Sequence, residues 1–161
     1  PDTEQDVAMV SVLERFGRNG NKSLAFCSGW KLKKGAMASS AAPDDNNLVV
    51  MGVNAEDMSI AVNYLIEQGG GQVVVADGEI LEFLPLPVGG IVSDREPEEI
   101  AAHEKLIDQA ARSLGSDLPD PMMYMFFLPI TAIPDYAITD AGPVDYVALT
   151  TFDPVLEVVE K

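Results

Sequence analysis

Residues 48–84 read LVVMGVNAEDMSIAVNYLIEQGGGQVVVADGEILEFL, and this stretch gives the clearest indication of how the chain folds. Residues 48–53 form an apolar run of the kind found in buried strands. Asn54, followed by Asp57 three residues later, predicts the start of a helix, because an Asn side chain can accept a hydrogen bond from the first turn. Apolar residues then recur at helical spacing, namely Met58, Ala61, Val62, Leu65 and Ile66. The glycines at 69–71 predict the end of that helix.

The segments on either side extend this pattern. Residues 72–76 and 79–84 flank Asp77-Gly78, a pair typical of a tight hairpin turn. Upstream, residues 7–15 and 23–32 predict two strands joined through Asn19-Gly20, and residues 36–41 predict a third. We therefore expect a largely antiparallel arrangement of neighbouring strands.

Downstream, Pro97 predicts the first turn of a second helix, which Gly115 ends. One face of this helix is apolar and is formed by Ile100, His103, Ile107, Ala110, Ala111 and Leu114. Residues 122–128 predict a buried strand, and the proline-rich segment after them predicts short extended pieces.

These elements indicate an α+β fold with a largely antiparallel (mixed) sheet and two main helices packed on one face. A three-layer α/β arrangement is the alternative. The chain has 161 residues and no visible linker or repeat, so we expect residues 1–161 to form a single domain. It begins with Pro1 rather than methionine, which suggests a domain of a longer protein.

Charge and composition exclude several functions. The chain carries 26 acidic and 10 basic residues, a net charge of −16, which disfavours nucleic-acid and anionic-membrane partners. One cysteine, Cys27, excludes an internal disulfide, and one histidine, His103, excludes a multi-histidine metal centre within the chain. We therefore expect no metal site here. The absence of a targeting or membrane-spanning segment predicts a cytoplasmic protein.

Six of the ten basic residues lie between residues 15 and 34, a segment that contains no acidic residue. A solvated basic face is one interpretation of this segment. The other is a docking surface for an acidic partner or an anionic ligand, with Arg15, Arg18, Asn19 and Lys33 as the docking candidates.

Residues 43–47, PDDNN, form the most polar loop and follow the hydroxyls of Ser39 and Ser40. A polar turn is one interpretation, since Asp and Asn tolerate turn geometry. The other is a loop that faces a substrate or a neighbouring domain, with Ser39, Ser40, Asp44, Asp45, Asn46 and Asn47 as its candidate residues.

Cys27 and His103 are the remaining groups with chemical potential. We expect Cys27 to be a small buried hydrophobe and His103 to be a packed, hydrogen-bonded side chain. An independent enzyme that uses either residue is a weaker hypothesis.

Several stretches match, in register, the motifs of one known family. Residues 14–21, ERFGRNGN, are similar to E-R-H-G-R-N-G-N, and residues 32–40 are similar to L-K-x-G-A-I-A-S-S. Further matches are V-V-G-x-N-x-E-D-M at 50–58, I-x-x-G-G-G at 66–71 and L-P-L-P-I-x-G at 84–90, followed by 127–128 and 138–140. Over residues 8–146 the chain thus resembles the adenine deaminase C-terminal domain.

The resemblance implies a parent enzyme with an N-terminal amidohydrolase barrel as the partner of this domain. Such enzymes hydrolyse adenine to hypoxanthine and ammonia with a metal-bound hydroxide, because the metal supplies a nucleophile at neutral pH. The divalent metal (manganese, iron or zinc) would lie in that barrel, so this fragment alone would contain no catalytic residue and no cofactor. We expect the fragment to pack on the barrel, to shape the active-site mouth and to take part in a homo-oligomer.

One departure from the family pattern concerns the polar loop. Where the family has V-A-H-D-S-H-N, this chain has AAPDDNN at 41–47, so Pro43 and Asn46 replace two histidines. Phe16 replaces a third. The alternative hypothesis is therefore a stand-alone, non-catalytic ligand-binding or assembly module derived from that domain.

Overall fold

A computed structural model describes residues 1–155 and residue 157. Its twelve elements are β1 (Ala8–Leu13), β2 (Lys22–Cys27), β3 (Ala36–Ser39), β4 (Leu48–Gly52), α1 (Ala55–Gln68), β5 (Gly71–Ala76), β6 (Glu79–Pro85), α2 (Pro97–Ser113), α3 (Pro121–Phe127), β7 (Tyr136–Thr139), β8 (Gly142–Asp145) and β9 (Thr150–Thr151). The first six strands form one sheet in the order β2-β1-β4-β3-β5-β6, and every neighbouring pair is antiparallel. Strands β7, β8 and β9 form a second, smaller sheet. The predicted α+β class and its antiparallel sheet are confirmed.

The local predictions around α1 are confirmed. Asn54 Oδ1 accepts a hydrogen bond from the Asp57 backbone N–H at 2.8 Å, as an N-cap should. At the other end Gly69 ends the helix with φ of +78°. Asp77 and Gly78 have φ of +55° and +81°, the two positive values that a tight hairpin turn between β5 and β6 requires.

The two main helices lie on opposite faces of the sheet, so their predicted placement on one face was wrong. One core cluster joins α1 to alternate residues of β3, β4 and β5, among them Ala38, Val50 and Val73. The residues between them, such as Met37 and Val74, belong to the core cluster that contains α2 and α3. Strands β3 and β4 are buried along their whole length, so both of their faces need a cover. The result is a three-layer arrangement around an antiparallel sheet.

Residues 122–128 are also not the predicted strand, because α3 spans Pro121–Phe127. Asp120 Oδ1 accepts a hydrogen bond from the Met123 N–H at 3.0 Å, and Pro121 occupies the first helical position. Met122 and Met125, three residues apart, are buried in the core. An apolar run of this length is compatible with a strand or with a helix. Asp120 and Pro121 at its start favour the helix.

The connection between β1 and β2 is longer than the Asn19-Gly20 turn suggests. The strands pair from Leu13–Lys22 to Ala8–Cys27, so residues 14–21 form an eight-residue loop. Strand β2 ends at Cys27 rather than near Leu32, and the segment after it turns Trp30 and Leu32 into the core. No helix in the described part of the chain is long and apolar enough to cross a membrane.

Candidate functional site

Two polar loops meet at one end of the six-stranded sheet. Leu13 at the end of β1 pairs with Leu48 at the start of β4, so the 14–21 loop lies beside the 41–47 loop. Between them is a cleft of about 330 Å³, which we call the polar cleft. Its lining residues are Glu14, Phe16, Arg18, Asn19, Asp45, Asn47 and Asp140. The structure thus brings together residues that the sequence assigned to two separate sites.

The carboxylate of Glu14 organises the first loop. It accepts backbone N–H hydrogen bonds at 2.6–3.3 Å from four residues of the loop, namely Phe16, Arg18, Asn19 and Gly20. Desolvation raises the pKa of Glu14, but these four donors together outweigh it and hold the pKa below its usual value. An ionised Glu14 therefore gives the loop its shape.

Arg15 connects the 41–47 loop to the segment at Gly89. Its Nε donates to the Asn46 carbonyl at 2.6 Å, and its Nη2 donates to the Gly89 carbonyl at 2.8 Å. The guanidinium also lies 4.5 Å from the centre of the Phe16 ring, within the range of a cation–π contact. Partial burial lowers the pKa of Arg15, although an arginine stays charged near neutral pH. Arg15 therefore positions the cleft and is not one of its lining residues.

The 43–47 loop is held by its own side chains. Asp45 accepts hydrogen bonds from the backbone N–H of Asn47 at 3.0 Å and from its Nδ2 at 2.9 Å. Asn46 has a φ of +54°, which Asn tolerates, and its Oδ1 accepts from the Ala42 N–H at 3.3 Å. Asn46, which replaces a histidine of the family pattern, therefore has a turn-forming role here. Asp44 is exposed and does not line the polar cleft.

Ser39 and Ser40 are buried behind the loop rather than in the polar cleft. Ser40 Oγ accepts a hydrogen bond from the Gly71 N–H at 2.8 Å and donates one to the Gly90 carbonyl at 2.6 Å. Among the described residues, Ser39 Oγ bonds to the backbone of Ala41 alone. Ser39 thus contacts the first residue of the 41–47 loop, whereas Ser40 links the end of β3 to the backbone at Gly71 and Gly90.

The four docking candidates divide between two ends of the sheet. Arg18 and Asn19 line the polar cleft, and Asn19 Nδ2 donates to Asp140 Oδ2 at 3.4 Å. Lys33 lies at the opposite end, before β3, where its Nζ donates to the Thr3 carbonyl at 2.8 Å. The basic segment 15–34 is therefore not one continuous surface.

Sequence reasoning missed Glu14, Phe16 and Asp140 as cleft residues. Glu14 and Phe16 lie in the motif at residues 14–21. The positive charge of that motif favoured its arginines as candidates instead. Asp140 follows β7, and only the packing of the small sheet against β2 brings it to the cleft. No local pattern predicts that approach.

Among the described residues no group of three or more His, Cys, Asp or Glu side chains is placed to hold a metal ion. Cys27 accepts a hydrogen bond from Trp30 Nε1 at 3.0 Å, and burial raises the pKa of its thiol. His103 Nε2 lies 3.0 Å from Glu82 Oε1 between α2 and β6. Neither Cys27 nor His103 lines the polar cleft.

The family model described as the adenine deaminase C-terminal domain matches residues 1–150. The chain belongs to this family. It is 83% identical to adenine deaminase 1 of Desulfotalea psychrophila over 155 residues, which cover 96% of this chain. It is 66% identical to adenine deaminase 1 of Latilactobacillus sakei over 98% of the chain, and 57% identical to adenine deaminase 4 of Rhizobium meliloti over 96%.

The chain spans 26% of the length of each of these three relatives. About three quarters of each relative therefore lies outside the region that this chain matches. The family assignment confirms the resemblance found in the sequence motifs.

Proposed function

We propose that this chain is the C-terminal domain of an enzyme that hydrolyses adenine to hypoxanthine and ammonia. The observation that carries the proposal is the match to relatives named adenine deaminase, at up to 83% identity over nearly the whole chain. In this proposal the domain packs on an N-terminal amidohydrolase barrel, and the parent enzyme works in the cytoplasm as a homo-oligomer.

We place the polar cleft at the mouth of the barrel's active site. Glu14 and Asp45 already accept hydrogen bonds from their own loops, so neither is placed to act as a general base. The Arg18 guanidinium is exposed at the rim, 5.9 Å from the centre of the Phe16 ring, and has donors to offer. The cleft therefore suits the positioning of a polar substrate or of a barrel loop rather than the chemical step.

The metal of the reaction belongs to the barrel in this proposal. The described side chains of this domain do not form a centre that fits a divalent ion, so no step of the reaction is assigned to them. When bound in the barrel, manganese, iron or zinc would generate the hydroxide that attacks adenine. The domain would contribute shape and hydrogen-bond donors at the entrance.

The test compares two exposed basic residues from the two ends of the sheet in the complete parent enzyme. Arg18→Ala removes a donor at the cleft, and Lys33→Ala removes a charge of the same sign at the far end. We expect Arg18→Ala to lower kcat/KM for adenine about tenfold, the scale of one charge-assisted hydrogen bond, and Lys33→Ala to leave it unchanged.

Two results would contradict the proposal. If both variants keep the parent activity, the polar cleft does not face the active-site mouth. If the complete native polypeptide has a mass near 17 kDa and does not release ammonia from adenine, the alternative of a stand-alone, non-catalytic module replaces the fused enzyme.

A further inference from the structure

One side of the six-stranded sheet is only partly covered. Helix α1 packs on β3, β4 and β5, so that on the same side Met9 and Leu13 of β1 are only partly buried and Leu24 and Phe26 of β2 are exposed. The register places Met9 beside Phe26 and Ser11 beside Leu24 on this side, while Ala8, Val10 and Val12 face the other core. We call the surface formed by Met9, Leu13, Leu24, Phe26 and Val62 the open face. A groove of about 640 Å³ runs along it beside α1.

The composition of the open face is unlike that of a solvated sheet surface. Outward positions of an antiparallel sheet that meets water are normally polar, yet Leu24 and Phe26 are 42% and 45% exposed. The residues that line the groove include one charged side chain, Lys22, and no carboxylate. The whole chain has 26 acidic residues, so a groove with no acidic residue in its lining differs from the rest of the surface. Such a surface favours an apolar partner.

The open face is continuous with the polar cleft. Leu13 and Lys22, which line the groove, directly flank the 14–21 loop, and the Glu14 N–H donates to the Asn21 carbonyl at 2.9 Å where that loop closes. A partner seated on β1 and β2 therefore also reaches the loop that forms one wall of the cleft. One body that covers the face and meets the cleft needs a large surface, and the relatives have about three quarters of their length outside this domain.

We propose that the open face is the docking surface for the catalytic N-terminal part of the parent enzyme. The complementary surface would present apolar side chains around the groove and a carboxylate to pair with Lys22. This inference rests on the proposed function and specifies which side of the domain meets the barrel. Because the face and the cleft share the 14–21 loop, this docking fixes the orientation of the cleft as well.

Hydroxyl-radical footprinting of the complete parent enzyme tests the inference without a mutation. The domain offers matched pairs of residues: Phe26 and Phe127 are both 45% exposed, and Leu24 and Leu106 are 42% and 48% exposed. We expect labelling of Phe26 and Leu24 to be about fivefold lower than that of Phe127 and Leu106, since interface cores pack as tightly as protein interiors. Equal labelling within each pair would overturn the proposal.

A dilution series identifies the occupant. Protection of Phe26 that persists at concentrations where the enzyme is a single chain supports docking within one chain. Protection that disappears as the enzyme dissociates would mean that a second copy covers the face, and would overturn the proposal.

Assaying the same preparation for ammonia release from adenine separates this inference from the proposed function. An active enzyme with fully labelled Phe26 and Leu24 would overturn the docking surface alone. An inactive enzyme with protected Phe26 and Leu24 would support the docking surface and contradict the proposed activity.

Discussion

The two ends of the six-stranded sheet are closed by different kinds of contact. At the end with the polar cleft, charged side chains hold the loops: Glu14 binds backbone N–H groups within residues 16–20, and Arg15 binds the Asn46 and Gly89 carbonyls. At the opposite end, the segment before β3 packs on other elements: the Lys33 N–H donates to the Leu114 carbonyl at the end of α2 at 2.8 Å, and Gly35 lies against Val75 and Leu114. Residues 16–20 are exposed, whereas Gly35 is buried among other elements, so we expect the cleft end to tolerate changes better than the opposite end, which we call the scaffold end.

Glycine-to-alanine substitutions at the two ends give the largest expected contrast. Gly35 at the scaffold end has φ of +74°, and a Cβ there would lie 2.4 Å from the Val75 carbonyl oxygen and 2.7 Å from Leu114 Cδ2. Gly17 in the cleft loop has φ of +72° with no atom within 4 Å. We expect Gly35→Ala to lower the free energy of unfolding by about 3–5 kcal/mol and Gly17→Ala by about 1–2 kcal/mol. Urea unfolding followed through Trp30 fluorescence measures both, and equal losses would contradict the distinction between the ends.

Ser39 and Ser40, neighbours at the cleft end, are expected to differ in their contribution to the free energy of unfolding. Ser40→Ala leaves the buried Gly71 N–H and Gly90 carbonyl without their partner, so we expect a loss of about 2–4 kcal/mol. Ser39→Ala removes contacts only to Ala41, and we expect about 1 kcal/mol. The same unfolding experiment compares them. A Ser39 variant as unstable as the Ser40 variant would contradict the larger role that we assign to the Ser40 hydroxyl between Gly71 and Gly90.

Arg15 and Arg18, both at the cleft end, are expected to differ in their effect on stability. Arg15→Ala removes hydrogen bonds to the Asn46 and Gly89 carbonyls, and we expect a loss of about 2–3 kcal/mol and faster amide exchange in residues 43–47. Arg18→Ala changes an exposed side chain, so the unfolding free energy should move by less than about 0.5 kcal/mol. Unfolding and hydrogen-exchange measurements check both expectations. An Arg18 variant that unfolds as easily as the Arg15 variant would refute this division.

Glu14 gives the cleft end a pH dependence, the smallest of the expected effects. Its pKa in the folded chain is below that of an unfolded chain, because hydrogen bonds from the loop outweigh desolvation. The stabilisation is therefore complete above the unfolded pKa of about 4.3 and is lost as the pH falls through the lower, folded pKa. We expect the protection of the amides of residues 16–20, taken relative to the intrinsic exchange rate at each pH, to be complete at pH 5 and to decrease only when the pH falls below the unfolded pKa of Glu14. In Glu14→Gln, exchange at pH 5 should already be faster, and a loop with identical protection in the variant would contradict the role of the carboxylate.

Much of the fold follows from local pattern, and the site follows only in part. Asn54 and Asp77-Gly78 were predictable because each needs only its near neighbours in the chain to define a cap or a turn. The polar loop at 43–47 was recognisable by composition. Its contact with Arg15, about thirty residues away in sequence, depends on the pairing of β1 with β4, which no motif encodes. Asp140 shows the same limit, since it reaches the cleft through a separate sheet.

By itself, the sequence determined the family, the antiparallel strands, both ends of α1 and the start of α2, because caps, turns and periodicity act within a few residues. Tertiary structure decided that the helices lie on two faces of the sheet. Strands β3 and β4 are buried on both faces, so helices must pack on each face. It also decided that Lys33 lies at the end of the sheet opposite the cleft that Arg18 lines. These features depend on which segments pack together, and packing between distant segments leaves no periodic trace in the chain.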